Sequence, residues 1–485
     1  MARHLPAETR AGGRRIGGDA ASFRDPAGRV HFAGDRVLRV VGAAGAADLD
    51  AFLISPAISR LAAEGRIVVT WGLSPEEGRA AGVAPASGER VLEHERIPFP
   101  SYPYEWPPEM LDAAARLTLD LADALLAEGL GLKDATPYNV LFRGPRPVFV
   151  DVLSVERREP RDPIWLAAAQ LQRTFLLPLL AARHFGLPPA MVFQASRDGI
   201  EPEALYGLLG PMRRLRPPFL GLIALPTWLG RRDAGDSAAY RPRLAHTPDR
   251  ARYVLAFLYR RLRRTLDRVA PVRDRRSAWS HYAAAPERTP ELEAKRALVQ
   301  AVMDEFHPRT VLDVGCNTGY LSAVAARAGA RVVAIDADPV VVGAAWHRAA
   351  HEGLDLLPLV VDLTRPSPAL GWRNRECPAF LDRAQAGGGF DATFFFAVIH
   401  HMLVTERIPL AELLDLAAAL TGRVAVIEFV PPDDALFRRI TRGRERLHAD
   451  LTAAAFEAAA ARHFEPVRVV PVPGTARLVY LLRKR

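Results

Sequence analysis

The stretch TVLDVGCNTGYLSAVAARAG, residues 310–329, reads as a strand, a glycine-bearing turn and a helix. Asp313 sits near the end of the apolar run, and Gly315 and Gly319 flank Asn317 in the turn. Asparagine tolerates a left-handed backbone better than most residues, so the turn is feasible with Asn at its centre. Working outward, TVLDVGC, RVVAIDAD, LLPLVVDL, DATFFFAVI and RVAVIEFV are apolar runs, each followed by a loop and several by a helical pattern. Continuous apolar strands separated by helices predict a buried parallel sheet with helices on both faces. ARLVYLLRKR, from Ala476, is expected to add an antiparallel edge strand.

The opening stretch resembles motif I of the class I S-adenosylmethionine-dependent methyltransferases, with Asn317 in place of a middle glycine. A glycine-rich turn alone also occurs in dinucleotide-binding proteins. The ordered acids that follow make the resemblance specific. Asp336 ends VVAIDAD, where the family places an acid that accepts hydrogen bonds from both ribose hydroxyls. Asp362 ends LVVD, where the family contacts the adenine amino group, with Leu363 beside it. The resemblance covers residues 291–485 and implies an α/β, Rossmann-like methyltransferase domain with S-adenosyl-L-methionine as cofactor. The cofactor contacts it implies are Asp313, Gly315, Cys316, Asn317, Gly319, Asp336, Ala337, Asp362, Leu363 and Ala397. The glycines are expected to let the ligand approach the backbone, and the following helix N-terminus to favour the cofactor's carboxylate.

Methyl transfer requires an aligned acceptor and, where necessary, removal of its proton. His400 and His401 follow the fourth strand and Glu428 ends the fifth, so these three are the candidate bases. Enzymes that methylate amino nitrogens of bases carry Asn/Asp-Pro-Pro-Tyr after the fourth strand, where this chain has AVIHHM. Cytosine C5 methylation needs a positioned cysteine; Cys316 lies in the turn and Cys377 reads as an ordinary thiol. O- or C-methylation of a small molecule is therefore the leading expectation, with an RNA-associated methyltransferase as an alternative. Residues 371–389, GWRNRECPAFLDRAQAGGG, are expected to help shape the acceptor pocket.

Upstream, GLKDATPYNVLF and PVFVDVLS place Asp134, Asn139 and Asp151 in the order of a kinase-like catalytic loop and metal site. Asn139 and Asp151 are accordingly the candidate metal ligands of that segment. Its order of hinge, amphipathic helix and loop predicts an α+β kinase-like domain. The ordinary machinery is missing, however: no lysine precedes Lys133, and VVGAAGAAD lacks a G-x-G-x-x-G spacing. Arg39 could stand in for the lysine, but that exchange is not conservative. The expected domain is a scaffold or substrate platform, with phosphotransfer as an alternative. The whole chain resembles bacterial two-part methyltransferases, some of them nodulation-related, in which a kinase-like segment precedes the methyltransferase.

The expected organisation is a tail over 1–24, the kinase-like domain over 25–270, a linker or lid over 271–290, and the methyltransferase over 291–485. Trp279, His281 and Tyr282 are the lid candidates. A chain beginning near Arg276 is expected to fold alone and bind the cofactor, because all the cofactor motifs follow Val311. The 485 residues carry a formal charge of +9, almost all of the cations being arginine. Arginine bias with abundant Ala, Pro and Gly points to a GC-rich bacterial genome, so nucleic acid is not the expected partner. Two cysteines, no signal-peptide pattern and no spanning apolar run make the expected location the cytoplasm.

Overall fold

The computed structural model describes residues 24–230, 244–272 and 289–485, apart from 442, 444 and 449. Residues 1–23 of the expected tail, and Trp279, His281 and Tyr282, lie outside these. The chain forms two compact units, one of residues up to 47 with 69–96, the other of 48–68 with 97–485.

The first unit is built on an antiparallel sheet in the order β1-β2-β4-β3, with β1 Gly28–Ala33, β2 Arg36–Val41, β3 Thr70–Leu73 and β4 Arg90–His94. Gly34 takes a φ of +62° in the turn that joins β1 to β2, as the Ala-Gly-Asp pattern predicts. Arg39 of β2 is buried and donates from Nε to His94 Nε2 at 3.2 Å.

The second unit opens with helical segments and the loop-rich run Ile97–Pro107. The helix Pro108–Leu126 has an apolar face that includes Leu111, Leu119, Ala122 and Leu125, and all four are buried. Two short antiparallel pairs follow, β5 (Leu130–Leu132) with β8 (Val155–Arg157), and β6 (Val140–Arg143) with β7 (Arg146–Phe149). FLGLIALPTWL is packed through Phe219, Leu222, Ile223 and Ala224, while Leu225 and Leu229 are exposed. No helix of the described residues is long and apolar enough to cross a membrane.

The principal sheet has seven strands in the order β11-β10-β9-β12-β13-β15-β14. These are β9 (Thr310–Val314), β10 (Arg331–Asp336), β11 (Leu356–Val360), β12 (Phe390–Phe395), β13 (Thr421–Phe429), β14 (Phe464–Pro471) and β15 (Leu478–Lys484). The first five are parallel, and the last two run antiparallel to their neighbours. Val302, Val311, Val332, Phe394, Val426 and Leu481 join in one buried cluster, which accounts for the unbroken apolar runs in the sequence. One expectation needs correction. ARLVYLLRKR forms β15, which lies inside the sheet between β13 and β14, and β14 is the edge. The sequence of β14, FEPVRVVP, holds two prolines and a half-exposed face, so it lacks the apolar run that marks the inner strands.

Candidate active site

Strand register sets the site's level. Val314 pairs with Ile335 and Phe395, and Phe395 pairs with Ile427. The next residues, Gly315, Asp336, Phe396 and Glu428, therefore emerge together at the carboxyl edge of the sheet. In open α/β sheets this crevice is where ligands bind.

The turn after β9 is fixed mostly by backbone. Gly315 and Cys316 both donate N–H to Ile335 O, at 2.9 and 3.0 Å, and Gly319 donates to Cys316 O at 2.9 Å. Gly315 and Gly319 each have φ of +73°, and Asn317 has φ of +49° with its Oδ1 accepting from Thr318 N at 2.8 Å. A Cβ on Gly315 would lie 3.1 Å from Val398, and one on Gly319 would lie 3.0 Å from Ala345. Positive φ and close packing against the chain itself thus require both glycines. These requirements stand beside the expected approach of a ligand to the same backbone.

Asp336 spans the mouth of that turn. Its Oδ2 accepts from Asn317 N and its Oδ1 from Asp338 N, each at 3.0 Å. Burial pushes its pKa up, and the N–H groups of Asp338 and Asn317 oppose the shift. Ala337 beside it is exposed. Asp338 caps the helix Pro339–Glu352 by accepting from Val340 N at 2.9 Å. Asp362 follows β11, half-buried; its Oδ1 accepts from Thr364 N at 2.9 Å. Leu363 is buried, and Ala397, with φ of +49°, begins the turn after β12.

Asp313 lies below the turn rather than on it. Its carboxylate is buried, accepts from Ser322 Oγ of the following helix, and is pushed up to about 6 by burial. Cys316 is also buried, and burial raises its thiol well above the ordinary range, so it is not an activated thiolate.

The three candidate bases occupy different surroundings. His400 and His401 open the short helix Ile399–Val404 with ring centroids 4.2 Å apart. His400 is almost fully buried, and neither ring nitrogen has a hydrogen-bond partner among the described residues. Burial lowers its pKa to about 3, with further lowering from His401 and Arg477. His401 is lowered as well, again by burial. Both imidazoles are therefore neutral at pH 7.

Glu428 is fully buried and lies 2.8 Å from Lys295 Nζ, an ion pair whose angles are not those of a hydrogen bond. Arg477 Nη1 is 3.4 Å from its other oxygen. Arg477 also pairs with Asp434 at 2.8 Å and Glu291 at 3.1 Å, and Lys295 reaches Glu291 at 2.8 Å. Two cations thus hold the Glu428 carboxylate. Lys295, Arg477, Asp434 and Glu291 stand in no motif of the sequence. One signal was available: a chain this rich in arginine retains only three lysines, and one of them is Lys295.

The 371–389 segment is not turned toward this edge alone. Arg383, in the helix Phe380–Gln385, pairs with Glu105, and both side chains are nearly inaccessible. The Arg383 guanidinium also lies over the rings of Phe99 and Tyr102, 5.1 and 5.0 Å from their centroids. Arg197 bridges to Glu376 at 3.2 Å, and Trp346 Nε1 donates to Pro145 O at 3.0 Å. Cys377 is buried here, its thiol pushed up to about 11.

A family model described as a methyltransferase domain matches residues 254–466. The nodulation protein NoeA of Rhizobium meliloti (strain 1021) is 33% identical over 496 residues, covering 100% of this chain and 100% of that protein. The chain belongs to the NoeA family. Among solved structures, N-methyltransferase NodS from Bradyrhizobium japonicum WM9 with S-adenosyl-L-homocysteine has 15% identity and a TM-score of 0.30, covering 40% of this chain and 88% of that one. The bifunctional kinase-methyltransferase WbdD has 16% identity and a TM-score of 0.28, covering 42% of this chain and 41% of that one. This member of the NoeA family is thus an S-adenosylmethionine-dependent methyltransferase with a Rossmann-like fold.

His400 yields a pH prediction. Unfolded, its imidazole protonates below about 6.5; folded, it resists protonation to about 3. Its contribution to stability is present above pH 6.5 and is lost as the pH falls toward 3. Between pH 7 and pH 5 the expected loss is about 2 kcal/mol. Urea unfolding at both pH values should show a smaller decrease for His400→Gln than for the wild type. Equal decreases would show that His400 is not buried neutral.

Proposed function

We propose that the chain methylates a small molecule at oxygen or carbon, and that His400 orients the acceptor. A neutral, buried imidazole on the short helix after β12, with neither nitrogen hydrogen-bonded among the described residues, supports this reading. The cofactor supplies a methyl group already activated as a sulfonium. Asp336 would hold the ribose hydroxyls, since its oxygens lie on the carboxyl edge and already fix the turn. Asp362 and Leu363 would meet the adenine, and Gly315, Cys316, Asn317, Gly319, Ala337 and Ala397 would supply the surrounding backbone. The buried Asp313 would act through the turn by tying β9 to the following helix.

With its pKa so low, His400 accepts a hydrogen bond from an acceptor hydroxyl or acidic C–H more readily than it removes the proton outright. His401 remains the second base candidate, and Glu428 becomes a positioning residue. Residues 25–270 serve as a kinase-like scaffold. Asp134 is exposed, Asn139 is buried and Asp151 follows β7 half-buried, while β3 carries no lysine.

The test uses methyl-labelled S-adenosylmethionine, the full-length protein and an extract of the producing organism, split by ultrafiltration. Label should enter the low-molecular-weight fraction, and His400→Ala should reduce its rate at least tenfold with unchanged S-adenosylhomocysteine affinity. Label confined to RNA or protein would exclude a small-molecule acceptor. Full turnover by His400→Ala would remove that residue from the mechanism.

A further inference from the structure

The helix Pro248–Val269 buries Leu255, Tyr259, Leu262 and Leu266 and is tied to the helix Pro108–Leu126 through Arg263, which pairs with Asp120 and Asp123. Its other face has no such cover among the described residues. Tyr253 and Phe257 are 68% and 52% exposed, and Val254 is exposed beside them. At about 100° per residue, Arg250, Tyr253, Arg261 and Arg264 all lie within about 40° of Phe257 around the helix axis. All three arginines are exposed, and none has a carboxylate partner among the described residues. The helix's own carboxylates, Asp249 and Asp267, lie about 80° round from Phe257.

We infer that this face docks on an anionic lipid surface. Aromatic and aliphatic side chains set among unpaired arginines suit an interface where rings enter the acyl boundary and guanidinium groups meet phosphate. A nucleic acid would satisfy the arginines but leave Phe257 and Val254 in water. A second copy of the chain would bring like charges together. Because no described helix can span a bilayer, the contact is peripheral.

Co-sedimentation of the full-length protein with vesicles tests this. Binding is expected with phosphatidylcholine–phosphatidylglycerol vesicles, not with phosphatidylcholine alone, and should weaken as salt is raised. The Tyr253→Ser/Phe257→Ser and Arg261→Ser/Arg264→Ser variants should each lose at least tenfold in partitioning. Unchanged S-adenosylhomocysteine affinity would show that both remain folded. Absent vesicle binding, or binding the variants leave intact, overturns the inference. So does tight retention on oligouridylate that persists in Tyr253→Ser/Phe257→Ser, or a dimer in sedimentation velocity that this variant dissociates.

Discussion

Arg383→Ala is expected to lower stability by about 3–5 kcal/mol, the range for breaking a buried ion pair. The substitution leaves the Glu105 carboxylate, fully buried, with Tyr102 N at 3.2 Å as its remaining named donor. It also removes a guanidinium that covers the rings of Phe99, Tyr102 and Phe380. Desolvation without a partner dominates the loss. Replacing both members, as Arg383→Met with Glu105→Gln, should recover much of it, because no charge is then buried alone. Equilibrium urea unfolding of the three proteins decides the matter. A loss below about 1 kcal/mol in Arg383→Ala would mean that the pair is hydrated.

Asp336→Ala should weaken binding of S-adenosylhomocysteine by about 1.5–3 kcal/mol, or roughly 10- to 150-fold. Two effects contribute. The ribose hydroxyls would lose a charged acceptor, and the N–H groups of Asn317 and Asp338 would lose theirs, loosening the turn. Asp336→Asn separates them, since its one carbonyl oxygen can still serve a backbone N–H. Calorimetric titration of both folded variants is the measurement. If Asp336→Ala binds as tightly as wild type, the acid at the end of β10 does not contact the cofactor.

The parts of the molecule legible in the sequence are those governed by neighbours in the chain. The turn at Gly315–Gly319 and the acid ending β10 each follow from one strand and the loop after it, so a short stretch displays them. Interactions between distant residues left weaker traces. Arg383 and Glu105 are separated by 278 positions, and neither stands in a pattern that marks a partner. Lys295, Glu428 and Arg477 likewise meet only once the sheet exists. The structure therefore changes the expectation for a chain beginning near Arg276. Such a fragment would retain Arg383 and Phe380 without Glu105 and Phe99, and it is now expected to be unstable although every cofactor motif is present.

The inner position of β15 means that the strand synthesised last joins the edge strand to the rest of the sheet. β14 leaves the ribosome first, but its one partner in the described sheet is β15, which in turn pairs with β13. Arg477 immediately precedes β15, so docking that strand also delivers a counter-ion to Glu428. Until then Lys295 is that carboxylate's one cationic partner among the described residues. Closing the sheet and completing the pairing of that carboxylate are therefore coupled. A nascent chain lacking its last dozen or so residues would present β13 as an open edge, a form suited to recognition by chaperones rather than to catalysis.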